Sequence, residues 1–104
     1  MSYELLVGIE VTDDERYQAY REAMLPILER HGGGFRYDFK VDQVLRNDSG
    51  EPINRVFTIH FDDEEAKVRF FDHPDYLKIK ATYFESSVGA VTIMAEYDRP
   101  AESA

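Results

Sequence analysis

Three consecutive glycines, at positions 32–34, separate two different spacings of apolar residues and thereby constrain the fold. Before them, over residues 17–31, apolar side chains recur at the 3.6-residue spacing of an amphipathic helix. After them, Phe35, Tyr37 and Phe39 alternate with polar residues, as in a strand with one buried face. Glycine readily takes the left-handed conformation that ends a helix, so we predict a helix end and a strand start here.

The same alternation of apolar and polar residues predicts three further strands, at residues 3–11, 57–61 and 91–97. Acidic runs at residues 13–15 and 62–65 each follow a strand, and acidic side chains are favoured in the first turn of a helix. The predicted order of elements is therefore β-α-β-β-α-β.

A faint internal repeat divides the chain into two similar halves. Residues 9–15 match residues 59–65, at an offset of fifty positions. Two split β-α-β halves predict an α+β, ferredoxin-like fold: a four-stranded antiparallel sheet with two helices on one face. We expect a single domain over residues 1–98, followed by a flexible C-terminal tail at residues 99–104.

The alternation also assigns each strand residue to one of the two faces of the sheet. We expect the more apolar set to face the helices, which puts Tyr17, Tyr20, Tyr37 and Tyr97 between sheet and helices. The opposite set mixes both charge signs with a few apolar groups and includes Glu4, Leu6, Glu10, Arg36, Asp38, Lys40, Val44, Val56, His60, Met94 and Glu96. Two interpretations of this charged face stay open: exposure to solvent, or packing against a second copy across a two-fold axis.

The composition argues against several classes of function. With 21 Asp and Glu residues against 12 Lys and Arg, the formal net charge is −9, and such a field repels a phosphate backbone. The lack of cysteine excludes disulfides, thiolate metal sites and cysteine nucleophiles. No stretch approaches the roughly 18 apolar residues of a membrane span, and no basic leader is evident. We expect a cytoplasmic protein without nucleic-acid or membrane partners.

Three residues are candidates for catalysis: Glu10, His60 and His31. Glu10 and His60 occupy equivalent positions in the two half-repeats and belong to the same face, so a carboxylate–imidazole dyad is one hypothesis. An ion pair at an interface between two copies is the alternative. His31 ends the first helix, where it could act as an acid or anchor a ligand, or could simply cap the helix and pack.

Several short motifs resemble the small bacterial family called domain of unknown function 1330, within the dimeric α/β-barrel superfamily. The matching residues are Tyr17, Tyr20, Pro26, the His-Gly-Gly sequence at 31–33, Arg55, the strand-to-helix step at 61–66, and His-Pro-Asp-Tyr at 73–76. The chain departs from the family in having Phe70 and Phe71 where Trp and Tyr are common, and Tyr83 where Arg is common. The resemblance implies a homodimer in which two ferredoxin-like sheets pack face to face.

Two functions from different classes are compatible with these residues. The first is a homodimer that binds a small organic molecule, for which Tyr20, Tyr37, Arg55 and Tyr76 are the candidate ligand-binding residues. The alternative is a cofactor-independent, monooxygenase- or isomerase-like enzyme acting on a small organic substrate in the sheet–helix cleft. An enclosed cleft that reaches a histidine would favour the enzyme, and a cleft filled by aromatic side chains would favour the non-catalytic dimer.

No cofactor and no metal are expected. The three histidines show no mutual ligand spacing, and the acidic runs are explained by helix capping. The glycines at 32–34 follow a helix C-terminus, whereas phosphate-binding loops precede a helix N-terminus.

Overall fold

The computed structural model describes residues 1–100 and has the predicted α+β, ferredoxin-like fold. The elements are β1 (Ser2–Val11), α1 (Asp14–Arg30), β2 (Gly34–Lys40), β3 (Arg55–Phe61), α2 (Glu64–Asp72), α3 (Pro74–Ile79) and β4 (Val88–Arg99). The strands form one antiparallel sheet in the order β2-β3-β1-β4. β4 extends one residue into the predicted tail at 99–104, of which residues 101–104 lie outside the described part of the chain.

The helix layer has three helices where the sequence predicted two. His73 is extended, with φ −64° and ψ 130°, and it separates α2 from α3 because a residue before proline disfavours the helical region. α3 continues into a π turn at Lys80–Phe84, in which the amide of Glu85 donates to the carbonyl of Lys80 at 3.1 Å. None of the helices within residues 1–100 has the length and apolar character needed to cross a membrane.

The glycine run ends α1 as predicted. Gly32 has a φ of +74°, and its amide donates to the carbonyl of Glu29 at 3.0 Å. The amide of Gly33 donates to the carbonyl of Leu28 at 2.9 Å. These two bonds form a Schellman motif. A side chain at position 33 would place its Cβ 2.7 Å from the carbonyl oxygen of His60, so this position also allows α1 to end directly against β3.

The core lies between α1 and the two central strands. One stripe of α1 is buried, and it packs over the buried face of β1 and β3. The main buried side chains are Leu5, Val7, Ile9, Tyr17, Tyr20, Met24, Ile27, Leu28, Phe57, Ile59, Phe61, Phe70 and Tyr76. We call the side of the sheet that faces these helices the helix side, and the other side the open face.

An irregularity in β2 reverses the predicted assignment of its side chains. Phe35 pairs with Ile59 on the helix side, but the register shifts before Tyr37, which pairs with Thr58 on the open face. This is a β-bulge at Arg36, and every residue after it changes sides. The prediction that Tyr37 faces the helices is therefore wrong.

The bulge in β2 exchanges aromatic and charged residues between the faces. Phe39 joins Tyr37 on the open face, where their rings lie 6.1 Å apart, while Asp38 and Lys40 turn to the helix side. Asp38 and Lys40 were predicted on the open face, so both assignments are corrected.

A second irregularity has the same effect in β4. Ile93 pairs with Val7 on the helix side, but the register shifts at Met94. Beyond it, Ala95 and Tyr97 point to the open face and Glu96 to the helix side. The predictions for Tyr97 and Glu96 are consequently wrong for the same reason as in β2. Both bulges are in edge strands, where such irregularities are common.

The connection between β2 and β3, residues 41–54, covers one end of the open face. A Cβ on Gly8 would approach Cδ1 of Ile53 to 2.9 Å, so the loop lies directly on β1 there. Asn54 fixes its end, because its side-chain amide donates to the carbonyl of Val11 at 2.9 Å and its carbonyl accepts from the Val11 amide at 2.7 Å. Val44 therefore belongs to this loop and not to a strand.

Candidate functional site

A cavity of about 410 Å³ lies between the sheet and the helix layer. It opens along β4, where Val91 and Ile93 are 50% and 54% exposed although they point to the helix side. The lining is mainly apolar, which is typical of sites for small organic molecules. Its lining residues are Leu5, Val7, Ile9, Tyr17, Tyr20, Arg21, Met24, Phe35, Phe57, Ile59, Lys67, Phe71, Tyr76, Lys80, Phe84, Val91, Ile93 and Glu96.

Two tyrosine hydroxyls meet inside this cavity. The hydroxyls of Tyr20 and Tyr76 lie 2.9 Å apart, and the two residues are only 5% and 4% exposed. Burial raises the pKa of both phenols, and for Tyr20 the nearby Tyr76 raises it further. Both groups are thus protonated at neutral pH. The ring of Phe84 lies 4.9 Å from that of Tyr20 and completes an aromatic wall.

Lys80 lines the same cavity and lies on the same helical face as Tyr76. Tyr76, Lys80 and Phe84 follow one another at four-residue steps through α3 and the π turn, and all three line the cavity. Side chains four apart on a helix are neighbours. Within the described part of the chain, no carboxylate lies within ion-pair distance of the Lys80 ammonium group.

At the opposite side of the cavity, a charged cluster joins α1 to β2 and β3. Asp38 accepts from Nε and Nη2 of Arg55, both at 2.8 Å, and from Nη1 of Arg21 at 3.2 Å. Arg21 also donates to the Tyr17 hydroxyl at 2.8 Å, and its guanidinium carbon lies 3.9 Å from the Phe35 ring centroid. Partial burial of the Asp38 carboxyl opposes its ionisation, but the bonds from Arg55 and the charge of Arg21 lower its pKa.

A second ion pair lines the cavity near β4. Lys67 of α2 donates to Oε1 of Glu96 at 2.7 Å, and this bond raises the pKa of the lysine. The bulge at Met94 is what turns Glu96 toward α2. Each edge strand thus places on the helix side a carboxylate that pairs with a base on a helix, Asp38 with Arg21 and Glu96 with Lys67.

The open face carries a different cluster around Glu4, which is only 1% exposed. The Tyr97 hydroxyl donates to Oε2 of Glu4 at 2.5 Å, and Glu4 forms ion pairs with Arg36 at 3.0 Å and Arg99 at 3.3 Å. The hydrogen bond to Glu4 raises the pKa of Tyr97. His60 is the cross-strand partner of Glu4, and burial, followed by the charge of Arg36, lowers its pKa.

The predicted contact between Glu10 and His60 is wrong. Both residues point to the open face, but β1 and β3 are antiparallel, so His60 pairs with Glu4 and Glu10 lies beyond the far end of β3. The six residue steps from Glu4 to Glu10 span roughly 20 Å of extended strand. The carboxylate of Glu10 lies instead against Gly89 at the start of β4.

His31 takes the packing role that was one of its two interpretations. It is the C-cap of α1, its Nδ1 lies 2.9 Å from the carbonyl oxygen of Ile27, and its ring stacks edge-on against those of Phe70 and His73. Because a carbonyl only accepts, Nδ1 carries the proton. Neither His31 nor His60 lines the cavity, and within residues 1–100 no group of three or more His, Asp and Glu side chains could hold a metal ion.

The four predicted ligand-binding residues are divided among three places. Tyr20 and Tyr76 meet in the cavity, Arg55 lies at its flank in the pair with Asp38, and Tyr37 lies on the open face. The cleft is neither filled by aromatic side chains nor in contact with a histidine.

Sequence reasoning missed Lys80 and Arg21 as cavity residues. The available signal was helical spacing: Lys80 lies four residues from both Tyr76 and Phe84, and Arg21 lies four residues from Tyr17.

Solved structures with this fold come from several organisms. A protein of unknown function from Rhodopseudomonas palustris is 18% identical, with a TM-score of 0.75 over 95% of this chain and 84% of that one. A dimeric ferredoxin-like protein of unknown function from Thermobifida fusca is 14% identical, with a TM-score of 0.57 over 93% and 90%. SnoaB, a cofactor-independent oxygenase from Streptomyces nogalater, is 14% identical, with a TM-score of 0.61 over 97% and 95%.

At these identities the likeness establishes the fold alone. Among curated proteins, none matches this sequence. The family model described as a domain of unknown function, DUF1330, matches residues 3–97, which include all or most of each strand and the whole helix layer. This chain therefore belongs to the DUF1330 family.

Proposed function

We propose that this protein is a homodimer that binds a small organic molecule in the cavity between the sheet and the helix layer. The observation that carries the proposal is the cavity itself, about 410 Å³ with a mostly apolar lining and an opening along β4. Sites for small molecules are concave, largely preformed and apolar, with a few convergent polar groups. Here the polar groups are the Tyr20–Tyr76 pair and Lys80. A cytoplasmic location stays a prediction from the sequence.

A neutral fluorescent probe tests binding in the cavity. N-phenyl-1-naphthylamine should gain fluorescence on saturable binding to the folded protein, because its rings move from water to an apolar site. Ile93→Trp places a large side chain at the mouth and should weaken binding at least tenfold. Val68→Trp is the matched control, since Val68 is 49% exposed on α2 and does not line the cavity. Equal binding to both variants would contradict the site.

The open face supports the proposal of a dimer. Half-exposed apolar side chains cluster there, with Tyr37, Phe39, Met94 and Tyr97 between 38% and 55% exposed. A dimeric protein among the structural relatives supports the same arrangement. Two such faces, related by a two-fold axis, would bury these side chains against each other.

Sedimentation at micromolar concentration tests the dimer. We expect the wild-type chain to sediment as a dimer and Phe39→Glu as a monomer, because a charge would be buried at the interface. Leu77→Glu is the matched control: Leu77 is 47% exposed, but it lies on α3, away from the open face. A monomeric wild type would overturn the proposed dimer but not the proposed binding in the cavity.

Catalysis without a cofactor is the second candidate function. The hydroxyl pair in the cavity and the oxygenase among the structural relatives favour it. Against it, the tyrosines are protonated donors, and the candidate bases His60, Glu10 and His31 do not line the cavity. A binding function therefore has the stronger support. Recovery of unchanged probe after prolonged incubation in air with excess protein would agree with binding alone.

A further inference from the structure

The lining of the cavity has the opposite charge balance to the rest of the protein. Three of the 12 Lys and Arg residues line it, namely Arg21, Lys67 and Lys80, but only one of the 21 acidic residues, Glu96. In a chain with a net charge of −9, this local excess of positive charge favours an anion inside a low-dielectric cleft.

Two of these three cations already have a carboxylate partner. Lys67 binds Glu96 at 2.7 Å, and Arg21 binds Asp38 at 3.2 Å. Lys80 is the one of the three without a carboxylate partner within residues 1–100, although Nη2 of Arg21 is also a buried donor with no acceptor there. A single available cation matches a single negative charge.

The hydroxyl pair adds a second donor to the cavity that Lys80 lines. Tyr20 and Tyr76 have two hydroxyl protons between them, and the bond that joins the hydroxyls uses one. The remaining proton has no acceptor among the described residues, although both side chains are at least 95% buried. A buried donor without an acceptor is costly, so a ligand oxygen at this position would stabilise the site.

We propose that the ligand is an organic monocarboxylate with an apolar body, bound with its carboxylate at Lys80 and the Tyr20–Tyr76 hydroxyls. The apolar body would lie along the cavity toward Val7 and Ile93. Tyr76 and Lys80 are four residues apart on one helical face, so both donors can reach the two oxygens of one carboxylate. This inference rests on the proposed function, that the cavity takes a small organic molecule.

Calorimetric titration with three naphthalene derivatives tests the ligand class. 2-Naphthoate, 2-naphthamide and 2-naphthyl phosphate share one apolar body and differ in the group that meets Lys80. We expect the carboxylate to bind about tenfold more tightly than the neutral amide, because hydrogen bonds to a charged group are the stronger ones. Tighter binding of the phosphate, a dianion, would overturn the assignment to a monocarboxylate.

Substitution of Lys80 tests the position of the carboxylate. Lys80→Met keeps the apolar stem and should remove the preference for carboxylate over amide, while Lys80→Arg should retain most of it. Lys78→Met is the matched control, because Lys78 is an exposed lysine on α3 that does not line the cavity. The neutral probe N-phenyl-1-naphthylamine should bind Lys78→Met like the wild type and should still bind Lys80→Met saturably, because the apolar lining is kept; both results verify that the variants fold.

The outcomes separate this inference from the proposed function. Equal affinity for carboxylate and amide, with the neutral probe still bound, overturns the carboxylate assignment and leaves a cavity that binds apolar molecules. Equal losses of naphthoate affinity in Lys80→Met and Lys78→Met overturn the carboxylate position, because general attraction would then explain binding. Failure of every naphthalene probe to bind the wild type overturns both proposals.

Discussion

Both sides of the sheet carry buried polar groups, but these groups have different partners. On the open face, the Glu4 carboxylate has Tyr97, Arg36 and Arg99 around it. In the cavity, the hydroxyls of Tyr20 and Tyr76 bond to each other, and their second proton and the Lys80 ammonium group have no partner within residues 1–100.

The difference separates a structural cluster from a binding site. The Glu4 charge is balanced by Arg36 and Arg99 of the chain itself, although Oε1 of Glu4 accepts no hydrogen bond within residues 1–100, so ion pairing within the fold explains this cluster. In the cavity, the second proton of the hydroxyl pair and the Lys80 ammonium group lack such partners, and our proposal is that a ligand supplies them. Substitutions at three places, Glu4, Asp38 and the tyrosine pair, test this comparison, with effects on the free energy of unfolding that decrease in this order.

Glu4→Gln should cause the largest loss of stability. Removing the carboxylate breaks an ion-pair network by taking away the buried charge that Arg36 and Arg99 share, which costs about 3 kcal/mol. Urea denaturation at pH 7 measures the loss. Affinity for the neutral cavity probe should not change, because Glu4 lies on the other side of the sheet.

Glu10→Gln is the control for Glu4→Gln. It makes the same chemical change in the same strand and on the same face, but no ion pair within residues 1–100 involves Glu10. Its effect on unfolding should be small. If Glu4→Gln weakened probe binding while leaving stability unchanged, the division between a structural face and a binding face would be wrong.

Asp38→Asn should cause an intermediate loss, about 1–2 kcal/mol at pH 7, because Asp38 is partly exposed and its bonds to Arg55 and Arg21 are charge-assisted. Its pKa is lowered in the folded state, so the carboxylate stabilises the protein above the unfolded pKa of about 4. That contribution is lost as the pH falls through the lowered folded pKa. Urea denaturation at several pH values should show the difference between wild type and variant shrinking below about pH 4.

Asp48→Asn is the control for this pH dependence. The Asp48 side chain is 91% exposed in its ion pair with Arg46, so removing it should change stability little at any pH. A constant difference between wild type and Asp38→Asn down to pH 2 would show that ionised Asp38 does not stabilise the fold. The ion pair with Asp38 would then not explain why Arg21 is unavailable to a ligand.

The tyrosine pair should give the smallest effect. Tyr20→Phe or Tyr76→Phe alone should cost about 1 kcal/mol, because each leaves one buried hydroxyl without its partner. The double variant should cost less than the sum of the two, since both polar groups are then removed together. Urea denaturation of all four proteins measures this coupling. Strictly additive losses would mean that the two hydroxyls do not interact, and the cavity would lose one of its two proposed donors.

Much of the fold could be predicted from the sequence because local signals agree with the tertiary structure. The buried stripe of α1, its end at Gly32 and the apolar faces of β1 and β3 all follow the expected spacing. The faces of β2 and β4 could not be predicted beyond their bulges. Phe35, Tyr37 and Phe39 alternate without interruption, and nothing in their composition indicates that Arg36 adds a residue to the strand.

The candidate site was predicted only in part, because it depends on contacts that local spacing does not report. Tyr20 and Tyr76 were both expected to bind a ligand, but their direct contact joins residues 56 positions apart. Lys80 belongs to a π turn that follows α3, and its place in the cavity was not predicted. The predicted contact between Glu10 and His60 was wrong because β1 and β3 pair antiparallel. Equivalent positions in the two half-repeats therefore lie at opposite ends of this strand pair.

Because of the bulges at Arg36 and Met94, the side chains that face the cavity depend on the number of residues in each edge strand as well as on their types. Deleting Met94 would leave β1 and β3 as they are, but it would return Ala95 and Tyr97 to the helix side and move Glu96 to the open face. Lys67 would then lose its partner, and the cavity would gain a second available cation. A one-residue deletion at a sheet edge is thus a route by which relatives with this fold could come to bind ligands of different charge.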